Sequence, residues 1–149
     1  MNWILKSFSQ LNTLELYAIL RLRCEVFVVE QNCPYLDEDN KDQTSFHLMG
    51  WDGDLLAAYT RIIPAGISFP SASIGRVVTS PQARGRGVGR QLMEESFKHL
   101  YKLFGVVNIE IGAQLYLKDF YQSLGFQQTS EVYLEDDIEH IEMIKTTSP

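Results

Sequence analysis

A glycine-rich turn set between an apolar strand and an amphipathic helix leaves this chain few folds to choose from. The block ending in Ser73-Ile74-Gly75-Arg76-Val77-Val78-Thr79 is short, apolar and β-branched, the composition of a buried strand. From Val88 to Phe104, the residues Val88, Leu92, Met93, Ser96, Phe97, Leu100 and Leu103 fall on one side. Arg90, Glu94, Lys98 and Lys102 fall on the other, so the spacing predicts an amphipathic helix. Between strand and helix runs Arg84-Gly85-Arg86-Gly87-Val88-Gly89. The first turn of a helix leaves backbone N–H groups unpaired and presents the positive end of the helix dipole, which together favour an anion. Glycines let an oxygen-rich ligand come close to the backbone, and Arg84 and Arg86 add positive charge. The stretch predicts a phosphate cradle.

Two familiar phosphate-binding patterns are tested by spacing. A P-loop needs Gly-x-x-x-x-Gly-Lys-Ser/Thr, and the chain has none. A dinucleotide fingerprint needs Gly-x-Gly-x-x-Gly directly after its strand. Here the glycines run Gly85-x-Gly87-x-Gly89, with Ser80 to Arg84 intervening. Glu110 lies about twenty residues on, where such a fold places its ribose-binding acid, so this alternative stays open.

The rest of the chain divides around that unit. Residues 2–8 read as a strand at a sheet edge. Residues 12–31 read as a helix capped by Asn12 or Thr13, with an apolar stripe of Leu16, Leu20, Cys24, Phe27 and Val28. Arg23, Phe27 and Glu30 share one face of it; its β-branched end predicts a distortion, and Pro34 terminates it. Residues 35–42 are polar and acidic. Asp37-x-Asp39-x-Lys41 lacks the glycine and the final glutamate of a calcium loop, so the stretch reads as a solvated loop or else as a lid over a cationic substrate. Strands follow at 45–52 and 55–63, joined by Asp52-Gly53, with a loop from Pro64 to Pro70. Residues 106–112 read as a strand and 118–125 as a helix stopped by Gly125. Residues 126–133 and 140–145 read as two strands about the acidic turn Glu135-Asp136-Asp137. The order β-α-β-β-β-α-β-α-β-β predicts an α/β (α+β) fold: one domain over 1–149, with a mixed sheet of six or seven strands and helices on both faces.

Composition narrows the partners. At 149 residues the chain suits one domain with a sizeable core. Thirteen Lys and Arg against 19 Asp and Glu give a net charge of −6, unfavourable for nucleic acid and better suited to a small cationic substrate. Cys24 and Cys33 make no metal-ligand pattern and read as reduced thiols of a cytoplasmic protein. No apolar run has the length of a signal peptide or a membrane span.

Two motifs carry a resemblance to a known family. Arg84-x-x-Gly87-x-Gly89 resembles the Gln/Arg-x-x-Gly-x-Gly/Ala signature that holds the pyrophosphate of acetyl-CoA in the GNAT N-acetyltransferases. Some thirty residues on, Gln114 to Phe126 resembles the Asn-x-x-Ala-x-x-Phe/Leu-Tyr-x-x-x-Gly-Phe stretch of that family. Phe120-Tyr121 and Gly125-Phe126 match, while Gln114 and Leu117 replace the asparagine and alanine. Residues 22–35 are similar to the ElaA-type branch. Related Arg-x-x-Val-Phe segments occur in acyl-homoserine-lactone synthases.

The resemblance implies acetyl transfer from acetyl-CoA, with no metal, to a primary amine of a small molecule or peptide in a ternary complex. It assigns the pyrophosphate to the amides of Arg84, Gly85, Arg86, Gly87, Val88 and Gly89. The pantetheine arm goes to the strand backbone at Val77, Val78 and Thr79, with Gln114 nearby, and the Val77 amide faces the developing oxyanion. Tyr121 becomes the general acid, since a phenol of pKa about 10 stays protonated while a thiolate of about 8.5 departs. No glutamate stands on the central strand, so Glu30, His47 and Glu110 are the candidate bases. Arg61 and Arg76 sit in half-buried strands and need carboxylate partners. The expectation is an Arg–Glu network, with Arg23, that fixes Glu30 or binds an acidic group of the substrate. A lactone-synthase-like acyltransferase and a catalytically silent acyl-CoA-binding module are the competing readings. Pairing of the carboxy-terminal strands into a homodimer is left open.

Overall fold

The predicted strand and helix and the turn between them organise the computed structural model, which describes residues 1–147. In chain order the strands and helices are β1 (Asn2–Ser7), α1 (Thr13–Arg23), β2 (Phe46–Asp52), β3 (Leu55–Ile63), β4 (Ala72–Thr79), α2 (Val88–Phe104), β5 (Ile109–Gln114), α3 (Lys118–Ser123), β6 (Gln127–Gln128), β7 (Tyr133–Glu135) and β8 (Ile138–Lys145). They form one eight-stranded sheet in the order β1-β2-β3-β4-β5-β8-β6, with β7 also on β8. All pairs are antiparallel except β4 with β5. β1 is an edge strand, as its position at the start of the chain suggests.

The period-two alternation of the strands sends side chains to opposite faces. Leu48 and Ile62 join Leu92, Met93, Leu100, Tyr121 and Phe126 in a core beneath α2 and α3. Met49 and Tyr59 join Ile19, Leu22 and Val26 beneath α1. Helices thus cover both faces. Among the described residues, no helix is long and apolar enough to cross a membrane.

α1 begins where its caps are. The Asn12 side chain accepts from Glu15 N at 2.8 Å, and Glu15 accepts from Asn12 N at 2.9 Å, a reciprocal capping box. Its buried apolar residues are Ile19 and Leu22, continued by Val26 in the segment that follows, one step round from the predicted Leu16–Leu20–Cys24 stripe, and Cys24 is exposed. The reason is Arg23, which is fully buried and pulls its own side of the helix inward. Beyond it, Cys24–Glu30 winds as a π-helix, with Gln31 N bonded to Val26 O and Cys33 N to Val28 O. The predicted distortion is therefore a widening, and Glu30 and Gln31 at its end line the cleft described below.

Three boundaries differ from those read in sequence. β5 starts at Ile109 rather than Val106, because Gly105 caps α2 and Val106 stands exposed before the chain reaches β8. The stretch 126–133 is not one strand. β6 and β7 are separate short segments along the same edge of β8, which raises the strand count to eight. The β2–β3 turn residues are Gly53 and Asp54, one step after the predicted pair.

Candidate active site

β4 and β5 pair only at their beginnings, Ala72 with Ile109 and Ser73 with Glu110. Beyond these positions the strands part. The gap opens into a cleft of ≈ 1110 Å³ lined by Ser73–Thr79 on one side and by Gly112, Ala113 and Gln114 on the other. The parting leaves one edge of β4 without a strand partner, so its N–H and C=O groups are available to an extended ligand.

On its other edge β4 carries a bulge. Tyr59 pairs with Val78 and Arg61 with Gly75, so Arg76 and Val77 together face the single residue Thr60. Arg76 adopts φ +52°, a left-handed conformation that costs a non-glycine residue about 1–3 kcal/mol. Its guanidinium is anchored. Nη2 donates to Asp37 O at 2.9 Å, and Nε lies 2.9 Å from Asp37 Oδ1 without being aligned to bond it. The bulge takes the backbone at Arg76 and Val77 out of the regular ladder at the point where β4 lines the cleft.

The turn before α2 has the predicted form. Gly87 caps the helix at φ +71° and Gly85 has φ +82°, both conformations that favour glycine. The first helical bond runs from Gln91 N to Gly87 O, so the amides before it have no partner within the helix. A Cβ built on Gly85, Gly87 or Gly89 meets nothing within 4 Å, and Gly89 lines the cleft. The two arginines diverge. Arg84 lines the cleft and pairs with Glu30 at 2.8 Å, whereas Arg86 turns outward to Asp52 at 3.5 Å.

Tyr121 is only 5% exposed and lines the cleft from the α3 side, edge-on to Phe120 and Phe126. Burial pushes its phenol well above the ordinary value, so the proton stays on at neutral pH. Gln114 reaches across the cleft to Gln31 at 3.2 Å.

The arginine network forms, with other partners than those expected. Arg23 Nε pairs with Asp37 at 2.7 Å and its Nη1 with Asp42 at 2.8 Å. Arg61 pairs with Asp39 at 2.7 Å and with Asp42 at 2.9 Å. The acidic stretch read as a solvated loop is thus the counter-charge for three arginines, and Asp37 and Asp42 are buried. Burial opposes ionisation of Asp39 and Asp42, but the Arg61 and Arg23 hydrogen bonds and charges outweigh it. Both carboxyls are held below their usual range. Glu30 takes no part in the network.

The three candidate bases lie apart. Glu30, 42% exposed, is held by Arg84 at the cleft. Glu110 accepts from Ser71 N at 3.2 Å and does not line the cleft. His47 is buried off the cleft. Its Nε2 donates to Asp42 O at 2.9 Å, which leaves Nδ1 to accept from Tyr59 Oη at 2.7 Å. Burial depresses its pKa, and both nitrogens are occupied. Arg23 and His47 therefore support the floor of the site rather than line it. Sequence reading gave no site role to His140 or Tyr133, which line the cleft together with Glu135 and Glu142. The alternation His140-Ile141-Glu142-Met143 was the available signal, since Ile141 and Met143 are fully buried.

A model of the acetyltransferase (GNAT) domain matches residues 15–147, and the chain belongs to that family. Within it the chain is similar to protein ElaA of Escherichia coli K12, 45% identical over 139 residues, which cover 92% of this chain and 91% of that protein. The crystal structure of Escherichia coli ElaA superposes with a TM-score of 0.90 at 43% identity, covering 97% of this chain and 98% of the other. An acyl-CoA N-acyltransferase from Pseudomonas aeruginosa superposes with a TM-score of 0.92 at 41% identity, covering 98% and 100%. Acyl transfer is the chemistry of this family.

Proposed function

We propose that the protein is an N-acetyltransferase that moves the acetyl group of acetyl-CoA to a primary amine in a ternary complex. The observation that carries this reading is the meeting of three features at one cleft: unpaired amides at the glycine start of α2, an unpaired edge of β4, and the buried phenol of Tyr121. The open space at Gly85, Gly87 and Gly89 fits a diphosphate, and the free edge of β4 fits the two amides of a pantetheine arm. The amide of Val77, in the bulge, is the donor for charge developing on the carbonyl oxygen. Arg84 flanks the diphosphate with its charge partly neutralised by Glu30. Arg86, turned toward Asp52, adds to the long-range positive field of the turn.

Tyr121 supplies the proton that the departing sulfur takes. Burial raises the phenol, but the same dry surroundings penalise a free thiolate, so the transfer stays favourable where it occurs. A thiol-release assay with acetyl-CoA and a panel of primary amines tests the reading. Amine-dependent release of coenzyme A is the expected result. Tight binding of acetyl-CoA without release for any amine would make the protein a binding module instead.

A further inference from the structure

Among the described residues, one histidine lines the cleft, and we infer that this residue, His140, is the base that takes the proton from the acceptor ammonium. The inference rests on the acetyl-transfer reading above and assigns a step which that reading leaves open. On β8, Ile141 and Met143 point into the core, so His140 and Glu142 point the other way, onto the cleft. In the sheet, His140 stands opposite Gln114 of β5, which lines the same cleft as Tyr121.

The ring is fixed in one tautomer. Nδ1 lies 2.7 Å from Ile138 O, and a carbonyl oxygen only accepts, so Nδ1 carries the proton of the neutral ring. Nε2 is then left with its lone pair. Tyr133, paired with His140 across β7 and β8, stacks on the ring at a centroid distance of 5.9 Å and an angle of 26°. Glu135 Oε2 lies 3.4 Å from Nε2, placed to pair with the imidazolium that proton uptake creates.

The surroundings suit a cationic acceptor. The titratable groups around the ring are Tyr133 and Glu135 of β7, Asp136 of the turn and Glu142 of β8, while its β5 neighbour Gln114 is uncharged. Cys33 touches the turn from the end of the first helical segment, with Sγ 3.4 Å from Asp136 O. One carboxylate, that of Glu135, thus lies beside the nitrogen that receives the proton, and the carboxyl side chains of Asp136 and Glu142 line the same cleft. The other groups considered for this task are engaged elsewhere, Glu30 by Arg84, His47 by two hydrogen bonds and Glu110 by Ser71 N.

The protons balance as follows. Nε2 of His140 takes one proton from the ammonium, and the freed nitrogen lone pair forms the C–N bond to the acetyl carbonyl carbon. Tyr121 gives its proton to the sulfur as the C–S bond breaks and the bonding pair leaves with sulfur. The second nitrogen proton, released as the amide forms, restores the Tyr121 phenol. The imidazolium returns its proton to water. Net, ammonium and thioester give amide, thiol and one proton.

His140→Asn keeps a donor for Ile138 O and removes the base. With an amine that the thiol-release assay has identified, kcat is expected to fall at least tenfold at pH 7 with coenzyme A affinity unchanged. The acidic limb of kcat/KM in the unaltered protein is expected to disappear. An unchanged limb and unchanged kcat would overturn the inference. Long-range proton–nitrogen NMR of His140 reads it without any turnover. A neutral ring carrying its proton on Nδ1 is expected. A ring protonated on Nε2 rejects His140 as the base, even if the protein acetylates amines.

Discussion

Tyr121→Phe is expected to lower kcat for acetyl transfer about a hundredfold while leaving the affinity for coenzyme A within a factor of about two. The asymmetry follows from where the hydroxyl sits. The ring packs against Phe120 and Phe126, and phenylalanine fills that space with the loss of a single oxygen. The hydroxyl has no partner among the described side chains, so its removal strands no donor or acceptor in the protein. What is lost is a proton source beside a sulfur that would otherwise leave as a buried thiolate. A small stability change accompanies a large change in rate, which separates an acid from a packing residue. Should the variant turn over as fast as the parent, Tyr121 has no part in the chemistry. A pH profile sharpens the comparison, because the raised phenol places any Tyr121-dependent loss of rate on the far alkaline side.

Asp42→Ala is expected to destabilise the protein by about 3–5 kcal/mol, since it leaves Arg23 and Arg61 buried with a deficit of counter-charge. For a domain of this size that corresponds to a fall in Tm of roughly 6–20 °C. The carboxylate receives a hydrogen bond from each arginine at 2.8 and 2.9 Å. Neither guanidinium can shed its charge to compensate. The same groups set the response to acid. Asp39 and Asp42 have pKa values held below the unfolded value of about 3.9, so their contribution is complete above that pH and is lost as pH falls through the folded values. His47 is also depressed, by burial. It adds stability above about pH 6.5 that wanes below it, because the unfolded chain takes up the proton first. Chemical denaturation between pH 7 and pH 3 is expected to show a shallower loss for Asp42→Ala than for the parent. A Tm within about 2 °C of the parent would mean that the network is solvated and carries no weight.

The glycine turn before α2 was legible because its signal is local. A helix start is written in its own residues, and Gly85, Gly87 and Gly89 stand beside the amides they expose. Helices on both faces of a mixed sheet were legible for a similar reason, since the stripe of α2 and the alternation of β2 and β3 are short-range patterns. The charge network was half legible. Arg61 and Arg76 inside strands announced that carboxylates must exist, and Asp37, Asp39 and Asp42 match Arg23, Arg61 and Arg76 in number. Nothing in a loop without periodicity says which way its side chains turn, however, and the glutamate at hand was chosen instead. The buried side of α1 was misjudged for the same cause, because a buried arginine outranked an apolar stripe. His140 was hidden by a different limit. Its strand was read, and the alternation of His140 and Glu142 with Ile141 and Met143 separates the two faces, but which of those faces meets the cleft is a tertiary outcome.

Everything functional depends on the start of α2 receiving a diphosphate, and Gly89→Leu isolates that claim. Position 89 has no neighbour within 4 Å of an added Cβ and needs no left-handed backbone, so the substitution spares the fold and fills the cleft. Titration calorimetry with coenzyme A is expected to give one saturable site in the parent and at least tenfold weaker binding in Gly89→Leu at unchanged Tm. No heat of binding in the parent, or equal affinity in the two proteins, would contradict the proposed cradle.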